Sequence, residues 1–381
     1  MAYQYKDQSI NKISIIGAGN IGPDIAFLIA KRLFDLDVTV LLEDVSPSSL
    51  IQAQTRIEQK IEQFSQNQNH SSQQKSKLRQ SFHFSNNMKE VIGSDMIIET
   101  ATENPSLKNL IFKQLKSVVK EKCIKLSNSS YITPETIFDK LDGHENSAVV
   151  HYFYPADKNE AIEIISLEKT DPDLIEFLFE FNRFLGKDPL YVKSSYGYAI
   201  NPIFAGLCQI AFGCLEKGLG TVQQIDQSAK DILGLLIGPF TALNLSGGNL
   251  ILEHGLLGLR DSLSEWFVPN QHLSEIVLNG ELWKTSPRDQ TVIIPEEKSG
   301  ILRQKFLDGY FALTSFIMDL EICDPKEFNR ICSKALSIKA PLEYMSEIGI
   351  DNSLMMIKRF CKDNKDFTYP IKIENILKNR V

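Results

Sequence analysis

The chain has 381 residues, of which 43% are hydrophobic and 23% are charged, so it is long enough for two or three ordinary globular domains. Its net charge of −7 argues against a nucleic-acid-binding protein. The sequence begins without a basic stretch before an apolar run, and no apolar run could span a bilayer, which predicts neither a signal peptide nor a membrane partner. Six cysteines without paired spacing and six histidines without a metal-binding motif predict free thiols, a cytoplasmic location and no metal site.

Segment 12–44 has the order strand, glycine-rich turn, helix, strand and acid. The first glycine of the turn permits a tight bend, the second lets the backbone approach a pyrophosphate, and the third lets helix and strand pack closely. The unpaired N–H groups at the start of the helix suit phosphate groups. This order predicts a Rossmann-type NAD site. The predicted cofactor-binding residues in the turn are Gly17, Gly19, Asn20, Ile21 and Gly22.

Two acids close the second strand of this segment. An acid at this position accepts hydrogen bonds from a ribose diol and repels a 2′-phosphate, which favours NAD over NADP. Asp44 is the predicted ribose ligand, and Glu43 remains the alternative.

Strands and helices alternate over the following 150 residues, which predicts a parallel, doubly wound sheet. Strands are predicted over 96–99, 124–126, 148–150, 161–165 and 187–192, and helices over 50–65, 105–120, 134–141 and 171–186. Residues 65–77 are rich in Gln, Asn and Ser and are predicted to form an exposed turn. A mild basic excess over 51–80 could contact a substrate phosphate, although a solvated face is favoured.

From about residue 196 the pattern changes to apolar helical periodicity, with helices predicted over 201–217 and 222–233. Pro239 and Gly247 recur as Pro341 and Gly349, each 102 positions later, which indicates a diverged repeat; chance similarity between amphipathic helices is the alternative. The prolines between 268 and 298 predict a loop or linker. The predicted domains are an NAD-binding Rossmann domain (1–195), a first helical domain with its linker (196–298) and a second helical domain (299–381).

A histidine and a glutamate in neighbouring apolar segments indicate a possible acid–base pair. His151 ends an apolar strand, and Glu163 lies twelve residues later inside another apolar run. A carboxylate in a strand interior needs a partner, and a neighbouring histidine would be oriented by it and stabilised when protonated. Such a pair could take a hydroxyl proton while a hydride leaves the same carbon. A purely structural histidine is the alternative.

At these positions the chain resembles the L-3-hydroxyacyl-CoA dehydrogenases of fatty-acid β-oxidation, from about residue 11 to 250 and more faintly to the end. The residues that carry the resemblance are Gly17-Ala18-Gly19-x-x-Gly22, Asp44, Glu103-Asn104, Ser127-Asn128-Ser129-Ser130, His151 with Glu163, Gly197-Tyr198-x-x-Asn201 and Gly238-Pro239-Phe240. The resemblance implies an α/β fold followed by all-α C-terminal modules. It implies reversible, NAD-dependent oxidation of an L-3-hydroxyacyl-CoA to a 3-oxoacyl-CoA.

The resemblance also implies roles for particular residues. His151 would be the general base and Glu163 its orienting carboxylate. Ser130 and Asn201 would hydrogen-bond the substrate oxygen or nearby atoms, and turn chemistry or a helix cap are the respective alternatives.

Glu103 and Lys108 would face the nicotinamide ribose, with ordinary surface charges as the alternative. The chain departs from the family at Tyr154 (usually Asn), Pro202 (usually Arg) and Asn244 (usually Asp). These departures leave open an unusual acyl-CoA or free hydroxy acid as substrate, or an inactive binding homologue.

The doubled helical module resembles the dehydrogenase part of the multifunctional β-oxidation proteins. In single-module relatives the helical domain forms the dimer interface. The resemblance therefore implies an internal pseudo-dimer of helical modules, and a homodimer of the whole chain remains possible.

Overall fold

The structure is a computed structural model that describes residues 3–138, 144–287, 290 and 292–379. The chain divides into two compact units, Met1–Ser194 and Ser195–Val381. The first is an α/β unit and the second is helical, which confirms the predicted fold class. The predicted helix over 134–141 is observed as far as residue 138, and the rest of it lies outside the described residues.

The sheet of the first unit has eight strands, and a separate two-stranded hairpin precedes it. The strands are β1 (Tyr3–Tyr5), β2 (Gln8–Ile10), β3 (Lys12–Ile16), β4 (Thr39–Glu43), β5 (Phe82–Ser85), β6 (Met96–Glu99), β7 (Ile124–Ser127), β8 (Ser147–Tyr152), β9 (Ala161–Ser166) and β10 (Asp188–Val192). The sheet order is β10-β9-β8-β7-β6-β3-β4-β5.

One pair of neighbouring strands corrects the prediction of a parallel sheet. Strands β8 and β9 are antiparallel, whereas the other neighbours in the sheet run parallel. Residues 153–160 connect these two strands, and this segment is too short for a helical crossover. The carboxyl end of β8 therefore meets the start of β9.

The helices of this unit alternate with its strands along the chain. They are α1 (Gly22–Leu33), α2 (Pro47–Asn67), α3 (Ser72–Gln80), α4 (Pro105–Leu115), α5 (Pro134–Phe138) and α6 (Pro172–Phe184). The core is built from buried aliphatic side chains of the central strands, such as Ile15, Leu42 and Ile98, together with α1. The exposed turn predicted over 65–77 is wrong for most of its length, because α2 continues to Asn67 and α3 begins at Ser72.

The second unit consists of helices α7 (Asn201–Glu216), α8 (Val222–Leu233), α9 (Pro239–Ser246), α10 (Asn249–Ser262), α11 (Gln271–Asn279), α12 (Glu296–Leu320), α13 (Pro325–Leu336), α14 (Pro341–Ile348), α15 (Ile350–Asp363) and α16 (Ile373–Lys378). Helix α11 lies inside the segment predicted as a linker, so that prediction is wrong over 271–279.

Helix lengths and caps favour the predicted repeat. Helices α8 and α13 both have 12 residues, α9 and α14 both have 8, and α10 and α15 both have 14. The Asp226 carboxylate of α8 accepts a hydrogen bond from the Phe240 N–H of α9 at 2.8 Å. The Asn329 amide oxygen of α13 accepts one from the Leu342 N–H of α14 at 2.8 Å. A side chain of the preceding helix therefore accepts a backbone N–H in the first turn of both short helices, and the repeat itself stays a prediction.

Candidate active site

The glycine-rich turn joins β3 to α1 and has the backbone geometry that its sequence requires. Gly17 has φ +113°, which only glycine adopts readily, and its N–H donates to the Glu43 carbonyl at 2.8 Å. A Cβ added at Gly22 would lie 2.0 Å from the Gly17 carbonyl oxygen, so a side chain is excluded there. A Cβ added at Gly19 would meet no atom within 4 Å. The turn therefore fits a close backbone approach by a pyrophosphate.

Asp44 and Glu43 have different environments. The Asp44 carboxylate accepts hydrogen bonds from the Ala18 N–H at 2.7 Å and the Ser46 N–H at 2.8 Å, so it is held against the glycine-rich turn. Glu43 is 1% exposed, and desolvation together with the Asp44 charge raises the pKa of its carboxyl to about 7. This arrangement favours Asp44 over Glu43 as the ribose ligand.

A loop after β7 contains the serines of the predicted site, and Glu103 holds it. One Glu103 oxygen accepts hydrogen bonds from the Ser129 hydroxyl at 2.6 Å, the Ser130 N–H at 2.9 Å and the Tyr131 N–H at 2.8 Å. Because a carboxylate that accepts several N–H and O–H bonds fixes their orientation, Glu103 sets the backbone path of this loop. Glu103 is therefore not an ordinary surface charge.

Lys108 is buried in this structure, with a side chain 1% exposed. Its ammonium donates to both Glu99 oxygens, at 2.8 and 3.0 Å, and to the Ala101 carbonyl at 3.2 Å. It also lies 3.5 Å from Glu103. A buried ammonium needs such a counterion, so the surface-charge alternative for Lys108 is wrong. Its place at the nicotinamide ribose stays a prediction.

Three further polar residues, Glu99, Thr100 and Asn128, organise this edge of the sheet, and no role was predicted for them from the sequence. The Glu99 carboxylate also accepts the Ser127 hydroxyl at 2.6 Å, the Thr100 hydroxyl donates to the Gly17 carbonyl at 2.8 Å, and the Asn128 amide oxygen accepts the Tyr152 N–H at 2.9 Å. Glu99 is the last residue of β6, and Thr100 and Asn128 directly follow β6 and β7. These positions could have identified them as site residues, because the carboxyl ends of parallel strands meet at one edge of the sheet.

His151 and Glu163 face each other across the antiparallel pair β8–β9. His151 Nδ1 lies 2.9 Å from a Glu163 carboxylate oxygen, and the two residues are 4% and 0% exposed. With Nδ1–H donated to the carboxylate, the basic lone pair of the neutral ring is on Nε2. The Phe153 ring packs 4.5 Å from the imidazole, between centroids, and limits its tilt. The pair has the arrangement of an oriented general base.

The remaining predicted residues lie at other positions in the fold. Asn201 is the first residue of α7 in the second unit, and the N-cap is Ile200, so the helix-cap alternative for Asn201 is wrong. Pro202 occupies the first turn of α7, where a missing N–H is tolerated. Tyr154 follows the β8 strand and is 42% exposed.

In the ranges that the structure describes, no cluster of three or more His, Cys, Asp or Glu side chains could hold a metal ion. Within the same ranges, no helix combines the length and the apolar character needed to cross a bilayer.

Comparisons with known proteins agree with this geometry. Residues 12–195 match the family described as "3-hydroxyacyl-CoA dehydrogenase, NAD binding domain", which confirms NAD as the cofactor. A probable 3-hydroxyacyl-CoA dehydrogenase of Caenorhabditis elegans is 27% identical over 245 residues, or 63% of this chain and 81% of that protein.

The peroxisomal fatty acid beta-oxidation multifunctional protein of Oryza sativa is 29% identical over 253 residues, or 65% of this chain and 34% of that protein. A solved 3-hydroxybutyryl-CoA dehydrogenase from Escherichia coli has a similar fold, with a TM-score of 0.82, 16% identity and coverage of 98% of both chains. The first unit therefore matches the NAD-binding domain of the 3-hydroxyacyl-CoA dehydrogenases, over residues 12–195.

Proposed function

We propose that this protein is an NAD-dependent dehydrogenase that interconverts L-3-hydroxyacyl-CoA and 3-oxoacyl-CoA, as in fatty-acid β-oxidation. The observation that carries the proposal is the buried His151–Glu163 pair, in the same unit as a glycine-rich turn that fits a dinucleotide. A base and a nucleotide turn together suit the removal of a proton and a hydride from one carbinol group.

His151 is the proposed general base. Its Nε2 takes the proton of the C3 hydroxyl, and Glu163 stabilises the imidazolium that forms. When bound, NAD supplies the hydride acceptor. In the reverse direction His151 returns the proton to the oxygen of the 3-oxo group.

The substrate oxygen needs hydrogen-bond donors besides the histidine. Ser130 and Asn201 are the proposed donors, and Glu103 supports the first of them by holding the loop that contains it. On the cofactor side, Glu103 and Lys108 are the proposed neighbours of the nicotinamide ribose, and Asp44 is proposed for the adenosine ribose.

The exposed Tyr154 supports an alternative substrate for the same type of reaction. A bulky phenol beside the histidine strand replaces the family's usual amide and alters the shape available to an acyl chain. An unusual acyl-CoA or a free hydroxy acid is therefore the alternative substrate, and an inactive NAD- or acyl-CoA-binding homologue is the alternative without turnover.

The test is NADH absorbance with 3-hydroxyacyl-CoAs of several chain lengths, alone and with free CoA as competitor. His151→Ala should lower kcat by about two to four decades, the usual scale of general acid–base catalysis. His83→Ala is the matched control, because His83 is an exposed histidine of the same unit. NADH binding without turnover of any acyl-CoA would support the inactive homologue, and unchanged kcat in His151→Ala would remove this residue from the mechanism.

The proposal for assembly is an internal pseudo-dimer of the two helical modules, with a homodimer of the chain possible. Two hydrogen bonds that run in opposite directions between the modules support it: Lys339 N–H to the Leu233 carbonyl at 2.9 Å and Leu236 N–H to the Ser337 carbonyl at 3.2 Å. A cytoplasmic location stays a prediction.

A further inference from the structure

The dinucleotide turn is held from outside by hydrogen bonds to its carbonyl groups. In a trans peptide the carbonyl oxygen and the N–H of the next residue point in opposite directions. A donor that binds the carbonyl from one side therefore directs the N–H to the other side. Thr100 binds the Gly17 carbonyl in this way, and the Ala18 N–H of the same peptide donates to Asp44.

Arg56 of α2 binds two later carbonyls of the turn, those of Gly19 and Asn20. Its guanidinium donates to the Asn20 carbonyl at 3.0 Å and to the Gly19 carbonyl at 3.5 Å. These two peptide groups contain the N–H groups of Ile21 and Asn20, respectively. The guanidinium is a planar fork whose donors have fixed directions, so it can hold two adjacent peptides together.

Arg56 is itself fixed by a buried carboxylate. Its guanidinium donates to Asp24 at 3.0 Å, and Asp24 is 1% exposed in the first turn of α1. Lys60 of α2 is a second cation on the same carboxylate, at 3.2 Å, and also pairs with Asp157 at 2.8 Å. Two cations therefore offset part of the cost of burying Asp24, although desolvation still raises the pKa of its carboxyl, and they tie α2 to the start of α1.

We propose that Arg56, anchored by Asp24, is a positioning residue of the NAD site: it fixes the peptide groups 19–20 and 20–21 so that their N–H groups point toward the pyrophosphate. This assigns a role to part of the basic excess over 51–80. Lys60 of that segment shares Asp24 with Arg56, whereas Lys75, Lys77 and Arg79 contact carboxylates that are partly or largely exposed. The proposal concerns the cofactor and does not depend on which substrate is oxidised.

The competing explanation is a direct attraction between the Arg56 charge and the pyrophosphate. Substitution of Asp24 distinguishes this explanation from the positioning role. If Arg56 acts through its charge alone, removing the neighbouring negative charge in Asp24→Asn should tighten NADH binding. If Arg56 acts by position, Asp24→Asn loosens its anchor and should weaken binding. The two explanations therefore predict opposite signs for one variant.

The experiment is a titration of the full-length protein with NADH, followed by nucleotide fluorescence or calorimetry. Arg56→Gln should weaken NADH binding about tenfold, which corresponds to about 1.4 kcal/mol of binding free energy. This is near the low end of the contribution of a hydrogen bond that involves a charged group. Arg56→Lys should resemble Arg56→Gln because an ammonium lacks the fork. Asp24→Asn should weaken binding several-fold, in the same direction.

Arg79→Gln is the matched control, because Arg79 lies on α3 and pairs with the partly exposed carboxylates of Glu58 and Glu62. The affinity of this variant for NADH should equal that of the unchanged protein. Thermal unfolding checks that each variant is folded, and kcat at saturating NAD should be retained where turnover is measurable. Wild-type affinity in Arg56→Lys, or tighter binding in Asp24→Asn, would overturn the proposal. Since NADH binding is the readout, failure of acyl-CoA turnover would leave this test intact.

Discussion

At the scale of single residues, Glu43 combines burial with an unsatisfied carboxyl group. Its side chain is 1% exposed, and one of its oxygens has no hydrogen-bond partner among the described residues. Desolvation, and then the nearby Asp44 charge, raise the pKa of the Glu43 carboxyl to about 7. The folded protein therefore retains a proton on Glu43 at pH values where the unfolded chain has lost it.

This difference predicts a pH dependence of stability. The raised pKa stabilises the fold below about pH 4.5, and that contribution is lost as the pH rises toward 7. Glu43→Gln cannot ionise, so it should match the unchanged protein near pH 4.5 and exceed its free energy of unfolding at pH 8 by roughly 1–3 kcal/mol. Urea unfolding at the two pH values is the measurement.

The exposed Glu121 supplies the control for this comparison. Glu121→Gln should follow the unchanged protein at both pH values. Equal stability of Glu43→Gln and the unchanged protein at pH 8 would show that Glu43 ionises in the fold without cost.

The His151–Glu163 pair could be predicted from the sequence because a carboxylate in a strand interior needs a partner. The glycine-rich turn could be predicted because a tight bend and a close approach to the backbone require glycine. The buried position of Lys108 and the several bonds of Glu103 could not be predicted from local pattern. Ser129 lies on the loop after β7 and reaches Glu103 because β6 and β7 are neighbours in the sheet, and Lys108 meets Glu99 because α4 packs back on the strand that precedes it.

At the scale of elements, the predictions succeeded where apolar periodicity was strong. Helix α8 was predicted over 222–233 and occupies that range. Helix α3 was missed because its stabilising contacts are polar: Ser71 and Gln74 form a reciprocal capping box, and Arg79 pairs with Glu58. The direction of β9 was also missed, although the short connection from β8 excluded a crossover.

The departure at Asn244 is explained by its contacts with Trp283, which lies in the segment 268–298 whose prolines predict a loop or linker. The Asn244 side-chain N–H donates to the Trp283 carbonyl at 2.9 Å, and the Asn244 amide oxygen accepts a hydrogen bond from the Trp283 backbone N–H at 3.0 Å. The Trp283 indole donates to Asn249 at 2.9 Å and packs against Phe240, with ring centroids 4.8 Å apart. Two asparagines therefore attach the segment after α11 to helices α9 and α10.

Asn244→Ala should destabilise the helical unit by about 1–3 kcal/mol, because a largely buried backbone N–H and carbonyl lose their partners. Asn244→Asp keeps one acceptor and loses the donor, so its effect should be smaller. Thermal unfolding followed by tryptophan fluorescence measures both. The exposed Asn86→Ala is the control, and an unfolding midpoint of Asn244→Ala equal to that of the control would contradict the role of this attachment.

At the scale of the whole molecule, the second unit is arranged around α12. Helix α12 packs against α7, α8 and α15. The approach to α7 is close: a Cβ added at Gly206 would lie 2.5 Å from the Leu313 side chain. Fourteen residues of α12 are buried, so this helix contributes a large apolar surface to the unit.

Removal of residues 300–381 should expose the apolar face of α7 and cause dimerisation or aggregation, because that face then lacks α12. Light scattering coupled to size-exclusion chromatography measures the outcome. The full-length chain is the reference, and the variant lacking only 373–381 is the control, since it keeps α12 and α15. A truncated chain that remains a soluble monomer would count against the internal pseudo-dimer.

The antiparallel pairing of β8 and β9 has a consequence for how new specificity can arise in this fold. The distance between His151 and Glu163 is set across the ladder, by register, and not by the length of chain between them. The connection 153–160, which includes Tyr154, can therefore gain or lose residues while the ladder keeps imidazole and carboxylate opposed. The placement of the imidazole opposite the carboxylate can therefore be conserved while the connection changes in sequence and shape.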